Sequence, residues 1–304
     1  MLFAAFCRVL RTCICAPDHS PRQCTLVCAD TGDPRGTLRI EPDIFKSAVI
    51  AWAKAGYQVG LPLPAAPRHC VAPSDAQLLP TLSLRQVNTH CIGDACNRLC
   101  LDAYEDALAA AQSDGSAERH RIEHAQILSQ SDLPRFAPLN VIASMQPTHA
   151  TSDSSWVEDH IGTARARGSY AWRTLLDSGA RLAFGSDFTV ERVNPFLGIY
   201  AAVTRQRVTE CNSSYSGVCA TEQPPNGWYP SQKLTRYEAL RGFTADAAYA
   251  SYDESQLGRI AVGAYADFLI IDRDVTNPAD CSDDEIINTQ VLATWLGGEL
   301  VYSP

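Results

Sequence analysis

Short apolar runs alternate with longer amphipathic segments from residue 88 to residue 249. The runs have the length of strands, and the longer segments carry apolar residues at the three- and four-residue spacing of a helix. We expect strands at 87–90, 119–124, 141–145 and 181–186. We expect helices at 94–112, 130–138, 170–178, 195–205 and 235–250. Such alternation predicts an α/β fold with a parallel sheet, either a barrel or a doubly wound sheet.

The last part of the chain has a different pattern. Strand-like runs at 267–271, 290–296 and 299–302 are separated by turn residues, among them Gly263, Asp274 and the pair Gly297-Gly298. Runs of this length without intervening helices are typical of antiparallel β structure. We therefore expect residues 258–304 to form a small all-β unit.

Composition excludes several classes of function. The 304 residues carry 25 basic and 34 acidic side chains, which gives a net charge of −9. Nucleic-acid and anionic membrane partners require clustered Lys and Arg, so we expect neither as a partner. The apolar start of the chain, 1–16, is interrupted by Arg8 and Arg11 and lacks a basic leading region, so we favour the cytoplasm over secretion.

The 12 cysteines are scattered along the chain rather than arranged as a disulfide framework. Cys91, Cys96 and Cys100 fall partly in a helical pattern. We expect them to be buried packing residues, with a metal or redox role as the alternative.

Three candidate ligands each stand where a predicted strand ends. His90 closes the first strand, His124 the second and Asp187 the fourth. The carboxyl ends of parallel strands open on one face, so these side chains are expected to converge. Two imidazoles and a carboxylate suit Zn²⁺, although each residue alone is also an ordinary polar strand end.

The sequence around these residues resembles the amidohydrolase superfamily, most closely its family 3 branch of N-substituted formamide deformylase-like enzymes. The resemblance rests on the stretches at 90–94 (HCIGD), 121–126 (RIEHAQ), 144–149 (SMQPTH) and 184–188 (FGSDF). It implies a (β/α)₈ TIM-type barrel, of which this chain supplies strands 5 to 8, with C-terminal β-sandwich strands. It also implies hydrolysis of the carbon–nitrogen bond of a small amide-type substrate, assisted by one or two divalent metal ions, most commonly zinc.

The resemblance also implies roles for individual residues. His90 and His124 match the metal ligands after the fifth and sixth barrel strands. Asp187 matches the carboxylate after the eighth strand, which contacts the metal and acts as general base and then as acid. His149, after the seventh strand, is expected to contact the substrate or to have a structural role.

The chain departs from the family pattern at its N-terminal side. None of the seven histidines forms the His-x-His pair that ends the family's first strand. The bridging residue after the fourth strand also has no secure counterpart. Residues 1–86 are too few for four β/α units, which need about 125 residues. We therefore expect a truncated barrel whose exposed edges favour self-association, and a catalytically inactive fragment is the alternative to an active enzyme.

The expected domain boundaries follow from these departures. Residues 1–25 are unassigned, 26–257 form the truncated hydrolase barrel, and 258–304 form the C-terminal β-sandwich segment. Gln58-Val59 recurs as Gln86-Val87, and the stretch between them is rich in proline. This repeat suggests that 60–87 is an insertion, such as a translated intron, and an ordinary surface loop is the alternative.

Overall fold

A four-stranded parallel sheet forms the centre of the computed structural model. The structure describes residues 86–210, 218–220, 224 and 226–304, together with Asp43, Lys46, Ser47 and Ile50. The strands of the sheet are β1 (Asn88–Cys91), β2 (Arg121–His124), β3 (Ile142–Met145) and β4 (Arg181–Phe184). They are neighbours in chain order and every pair is parallel. The predicted α/β class is confirmed, and all four strands lie within two residues of their predicted bounds.

Helices connect these strands and cover the sheet. They are α1 (Asp94–Ala111), α2 (Pro147–Asp153), α3 (Val157–Ile161), α4 (Thr163–Ala166), α5 (Trp172–Asp177), α6 (Pro195–Thr204), α7 (Arg236–Phe243) and α8 (Ala245–Ala250). The apolar spacing of the first helix predicts one buried face made of Leu101, Tyr104, Leu108 and Ala111. Leu101 and Tyr104 are fully inaccessible and Leu108 is nearly so, whereas Ala111, at the end of the helix, is exposed. Burial of such a face, rather than helix propensity, supplies most of the stability of a helix in a protein.

Two predicted helices differ from the structure. The segment 130–138 contains only a 3₁₀ turn, Leu133–Arg135, in which Pro134 removes a backbone donor. The single helix predicted over 235–250 is broken between α7 and α8 at Thr244, whose Oγ1 donates a hydrogen bond to the carbonyl of Leu240. A threonine hydroxyl that bonds back in this way competes with the backbone and bends helices.

The C-terminal part forms a separate antiparallel sheet. Its strands are β7 (Phe268–Ile271), β8 (Val291–Leu296) and β9 (Glu299–Tyr302), with β8 in the middle. A short hairpin, β5 (Val208–Glu210) with β6 (Val218–Ala220), precedes them in the chain. The three strands expected after residue 258 are therefore present.

The end of the predicted insertion belongs to the fold. Gln86 and Val87 are fully buried, and the Gln86 amide nitrogen donates to the carbonyls of Arg119 and Ala250. The carbonyl of Val87 accepts the N–H of Arg121, which extends the pairing of β1 with β2. Residues 60–85 and the unassigned segment 1–25 lie outside the described residues.

The predicted cysteine cluster is buried between β1 and α1. Cys91, Cys96 and Cys100 are at most 2% exposed, and the Sγ atoms of Cys91 and Cys96 lie 2.6 Å apart. Burial raises the pKa of the Cys91 thiol well above its usual value. A thiol with a raised pKa is unreactive, so the packing interpretation accounts for the position of this cluster.

No helix in the described part of the chain is long and apolar enough to cross a bilayer.

Candidate metal centre

Three side chains from three successive strand connections meet at the carboxyl edge of the sheet. His124 ends β2, His149 lies in the first turn of α2 directly after β3, and Asp187 follows β4. The Asp187 Oδ2 atom lies 4.0 Å from His124 Nε2 and 3.9 Å from His149 Nε2. One potential ligand atom from each residue lies within 4.8 Å of the other two. The expected convergence of His124 with Asp187 is therefore present in the structure.

The third member of this group is His149, whereas the sequence led us to expect His90. The His90 ring packs edge-on against the His124 ring with 4.2 Å between ring centroids. The rings of His124 and His149 stack at 5.8 Å. His90 thus adjoins the group, but its ring nitrogens are not among the three clustered ligand atoms.

The position of the His124 ring depends on an unusual backbone conformation. The register places His90 beside Glu123, and strict alternation along β2 would direct His124 to the opposite face, with Ile122. Instead the His124 ring contacts His90. His124 has φ +71°, in the left-handed region, and Asp187 has φ +55°. Left-handed backbone costs an L-residue about 1 kcal/mol or more, and such residues cluster at functional sites.

Two histidines of this edge, His90 and His124, are kept neutral by burial. Burial lowers the pKa of His90, and it lowers the pKa of His124 well below its usual value. Repulsion from the charge that the neighbouring His90 and His149 rings carry when protonated lowers the His124 pKa further. Neutral imidazole is the form that binds a metal. The Asp187 side chain keeps 33% of its surface exposed, so solvent and small molecules can reach its carboxylate.

The donor set fits a divalent metal of the zinc type. His90 Nδ1, His124 Nδ1 and His149 Nε2 are buried and have no hydrogen-bond partner among the described residues. Buried polar atoms are normally satisfied, so each such atom requires an explanation, such as an ion. Among these three atoms, His149 Nε2 is the one that also faces the Asp187 carboxylate, whereas His124 faces that carboxylate with Nε2. Ligand atoms 2.0–2.2 Å from one tetrahedral zinc lie about 3.4 Å apart. The observed gaps of 3.9 and 4.0 Å at Asp187 would need to close by about half an ångström. The gap between the His124 and His149 ligand atoms is within 4.8 Å, so one shared ion would also draw these two rings together.

Sequence reasoning did not anticipate that helix α2 places His149 beside His124 and Asp187. The helix begins at Pro147 immediately after the strand residue Met145 and its neighbour Gln146. Proline is favoured at the first position of a helix because its missing N–H needs no partner there. The pattern of a strand followed by proline could therefore have indicated a helix with His149 in its first turn.

Comparisons with known proteins identify the family of this chain. The family model described as "Amidohydrolase family", that of amidohydrolase family 3, matches residues 85–302. Protein LONG AFTER FAR-RED 3 of Arabidopsis thaliana is 37% identical over 221 residues, which cover 71% of this chain and 34% of that protein. N-substituted formamide deformylase of Arthrobacter pascens is 28% identical over 217 residues, 70% of this chain and 36% of the enzyme. The chain thus matches about a third of the length of these relatives.

A solved structure shows the same likeness in three dimensions. An uncharacterized metal-dependent hydrolase from Pyrococcus furiosus superimposes with a TM-score of 0.58 and 25% sequence identity. The match covers 84% of this chain and 42% of the hydrolase. Since the family model spans more than half of the chain, the chain belongs to the amidohydrolase family, in the family 3 branch, and is by family a hydrolase.

Proposed function

We propose that this chain carries the metal-binding part of a hydrolase that cleaves carbon–nitrogen bonds in small amide-type substrates. The observation that carries the proposal is the meeting of His124, His149 and Asp187 at one edge of the sheet, within 4.8 Å. These residues are far apart in sequence, and three separate strand connections bring them together. Such convergence at the carboxyl ends of parallel strands is the usual place of an active site in α/β folds.

The metal that suits this site best is zinc. Two histidines and one carboxylate form a ligand set found in catalytic zinc sites, where a further position stays open for water or substrate. His90 stands against His124 and is available as an additional ligand. A divalent metal bound here would polarise a substrate carbonyl and would lower the pKa of a coordinated water.

The chain's own residues account for the proton transfers that amide hydrolysis requires. A carbon–oxygen bond forms from water to the carbonyl carbon, and the carbon–nitrogen bond breaks. We assign to the Asp187 carboxylate the proton released by the attacking water, which it then returns to the leaving nitrogen. The Asp187 side chain is 33% exposed and lies beside His124 and His149, so its carboxylate borders both the solvent, from which substrate would enter, and the proposed metal ligands.

The name of one similar enzyme, an N-substituted formamide deformylase, supports an amide-type substrate. The deformylase from Arthrobacter pascens is named for action on N-substituted formamides, and its match covers the residues that form this site. An amide of a substituted amine is therefore the first class of substrate to test.

We also propose that the chain folds as part of a larger barrel. The four parallel strands with their helices correspond to half of a (β/α)₈ barrel, and the sheet of β7, β8 and β9 would belong to a β-sandwich. A second proposal, a chain that does not turn over substrate by itself, is supported by the match to only 34–36% of the two curated relatives described above. Both proposals share the metal site and differ in turnover.

Amine release from a panel of N-substituted formamides and acetamides tests the function. The full chain is loaded with Zn²⁺ and compared with Asp187→Asn and with Asp177→Asn, which changes an exposed carboxylate at the end of α5. We expect Asp187→Asn to lose at least 100-fold in kcat and Asp177→Asn to match the unmodified chain. A zinc-loaded chain that releases no amine supports the inactive alternative, and equal turnover by Asp187→Asn would refute the assignment of Asp187.

A further inference from the structure

A half-buried carboxylate outside the metal group connects two of the segments that carry its ligands. Asp153 is the last residue of α2 and stands one helical turn after His149. Residues four apart lie on the same side of a helix. The Asp153 Oδ2 atom accepts hydrogen bonds of 2.5 Å from the Tyr170 hydroxyl and from the Gln126 amide. Hydrogen bonds to an ionised carboxylate are short and about twice as strong as neutral ones.

The two donors belong to the segment that follows β2. Gln126 lies two residues after His124, and its carbonyl accepts the N–H of Tyr170 at 2.8 Å. Ile127 and Ser169 form an isolated antiparallel bridge beside this bond. Gln126 and Tyr170 are 7% and 1% exposed. The Asp153 carboxylate therefore ties the helix of His149 to the chain immediately after His124.

A buried arginine, Arg205, holds the backbone of Tyr170, one of the two donors to Asp153. Arg205 Nη1 donates to the Tyr170 carbonyl at 3.0 Å. Its guanidinium lies over the ring of Trp172, 4.4 Å from the centroid, and 5.3 Å from that of Trp228. Cation–π contacts of this kind are strongest when the cation is desolvated, and Arg205 is fully buried. Arg205 thus holds the backbone of the residue whose hydroxyl donates to Asp153.

We propose that Asp153 is a positioning residue that sets the separation of His124 and His149 for the metal. The inference rests on the proposed function, because it requires these two histidines to share one ion. Metal sites need their ligands within about 0.5 Å of the productive geometry. Loss of the Asp153 acceptor would free the end of α2, and outer residues that orient ligands typically change metal affinity 10- to 100-fold.

Two substitutions of similar volume separate hydrogen bonding from packing. In Asp153→Asn the amide oxygen can still accept from both Tyr170 and Gln126, whereas in Asp153→Leu no acceptor remains. Asp177→Leu is the matched control, since Asp177 is likewise the last residue of a helix, α5, but pairs with Arg173 away from the site. Tyr170→Phe removes one of the two donors and serves if Asp153→Leu does not fold.

Zinc affinity of the full chain is measured by competition with a chromophoric chelator, and the visible spectrum of the Co²⁺-loaded chain reports ligand geometry. We expect Asp153→Leu to bind Zn²⁺ 10- to 100-fold more weakly and with an altered Co²⁺ spectrum, and Tyr170→Phe to lie between it and the unmodified chain. Asp153→Asn should stay within about threefold of the unmodified chain, since both hydrogen bonds can persist, and Asp177→Leu should match it.

The outcomes distinguish this inference from the proposed function. Equal affinity of Asp153→Leu and the unmodified chain would overturn the positioning role and leave the metal site intact. Equal losses in Asp153→Leu and Asp153→Asn would also overturn it, because the charge and not the hydrogen bonds would then matter. If the unmodified chain and every variant fail to bind Zn²⁺ and Co²⁺, the proposed function itself fails.

Discussion

Protonation of His120 is expected to destabilise the fold as the pH falls below neutrality. His120 is fully buried, its ring stacks on Tyr104 at 4.7 Å, and its Nδ1 accepts the N–H of Val87 at 3.1 Å. Burial lowers its pKa to about 4, while the negative charge of Glu118 opposes this shift. The folded-state pKa lies below the unfolded value of about 6.5, so the unfolded chain binds the proton more readily. Stability from His120 is therefore present above pH 6.5 and is lost as the pH falls towards 4.

The size of the effect follows from the two pKa values. Between pH 7.5 and pH 5.0 a group with a pKa of about 4 when folded and about 6.5 when unfolded costs about 2 kcal/mol of unfolding free energy. His120→Asn removes the titration, and its amide oxygen can replace Nδ1 as the acceptor for Val87. Urea denaturation at both pH values measures the change. We expect the pH-dependent loss of stability to be about 2 kcal/mol smaller in His120→Asn than in the unmodified chain.

A second variant separates titration from the hydrogen bond. The amide oxygen of His120→Gln lies nearer the place of Nε2, so the N–H of Val87 loses its acceptor. This variant should be less stable than His120→Asn at both pH values, by about 1 kcal/mol, with the same reduced pH dependence. An unchanged pH dependence in both variants would refute the reasoning, since His120 would not then be the titrating group.

Three further substitutions test the packing and capping of the fold by thermal or urea denaturation. Thr235→Ala removes the hydroxyl that caps α7 together with Glu238, and should cost about 1 kcal/mol, whereas Thr235→Ser should restore most of it. Gly168→Ala would place a Cβ atom 1.8 Å from the Leu128 carbonyl oxygen, a backbone atom that cannot yield cheaply, so we expect a loss of about 3 kcal/mol or more. Tyr104→Phe removes a buried hydroxyl whose one proton is within reach of the Val87 and Arg121 carbonyls and of the Thr89 hydroxyl, and should cost about 1–2 kcal/mol. Full stability in any of these variants would contradict the contact assigned to it.

The sequence predicted the framework of the site well because the framework depends on local patterns. Each strand is an apolar run bounded by polar residues, and parallel connection places all strand ends on one edge. His124 and Asp187 could therefore be assigned to one site before any coordinates were known. The capping box of Thr235 and Glu238 was equally predictable, since its signal is contained in four consecutive residues.

The remaining features depend on contacts between distant segments. The left-handed backbone at His124 directs its ring towards His90 and His149, and alternation along a strand predicts the opposite direction. The break at Thr244 and the pairing of Asp153 with Tyr170 and Gln126 are likewise fixed by tertiary packing. The sequence therefore assigned His90 to the ligand set and gave His149 either a substrate contact or a structural role, whereas the structure brings His149 together with His124 and Asp187.

The metal content of the purified, size-fractionated chain tests the central claim most directly. Elemental mass spectrometry is applied to the unmodified chain and to the single variants His149→Ala and His90→Ala. If His124, His149 and Asp187 hold the ion, the unmodified chain carries about one zinc per chain, His149→Ala loses it, and His90→Ala retains most of it. Retention by His149→Ala with loss in His90→Ala would contradict the ligand set proposed from the structure and restore the set expected from the sequence.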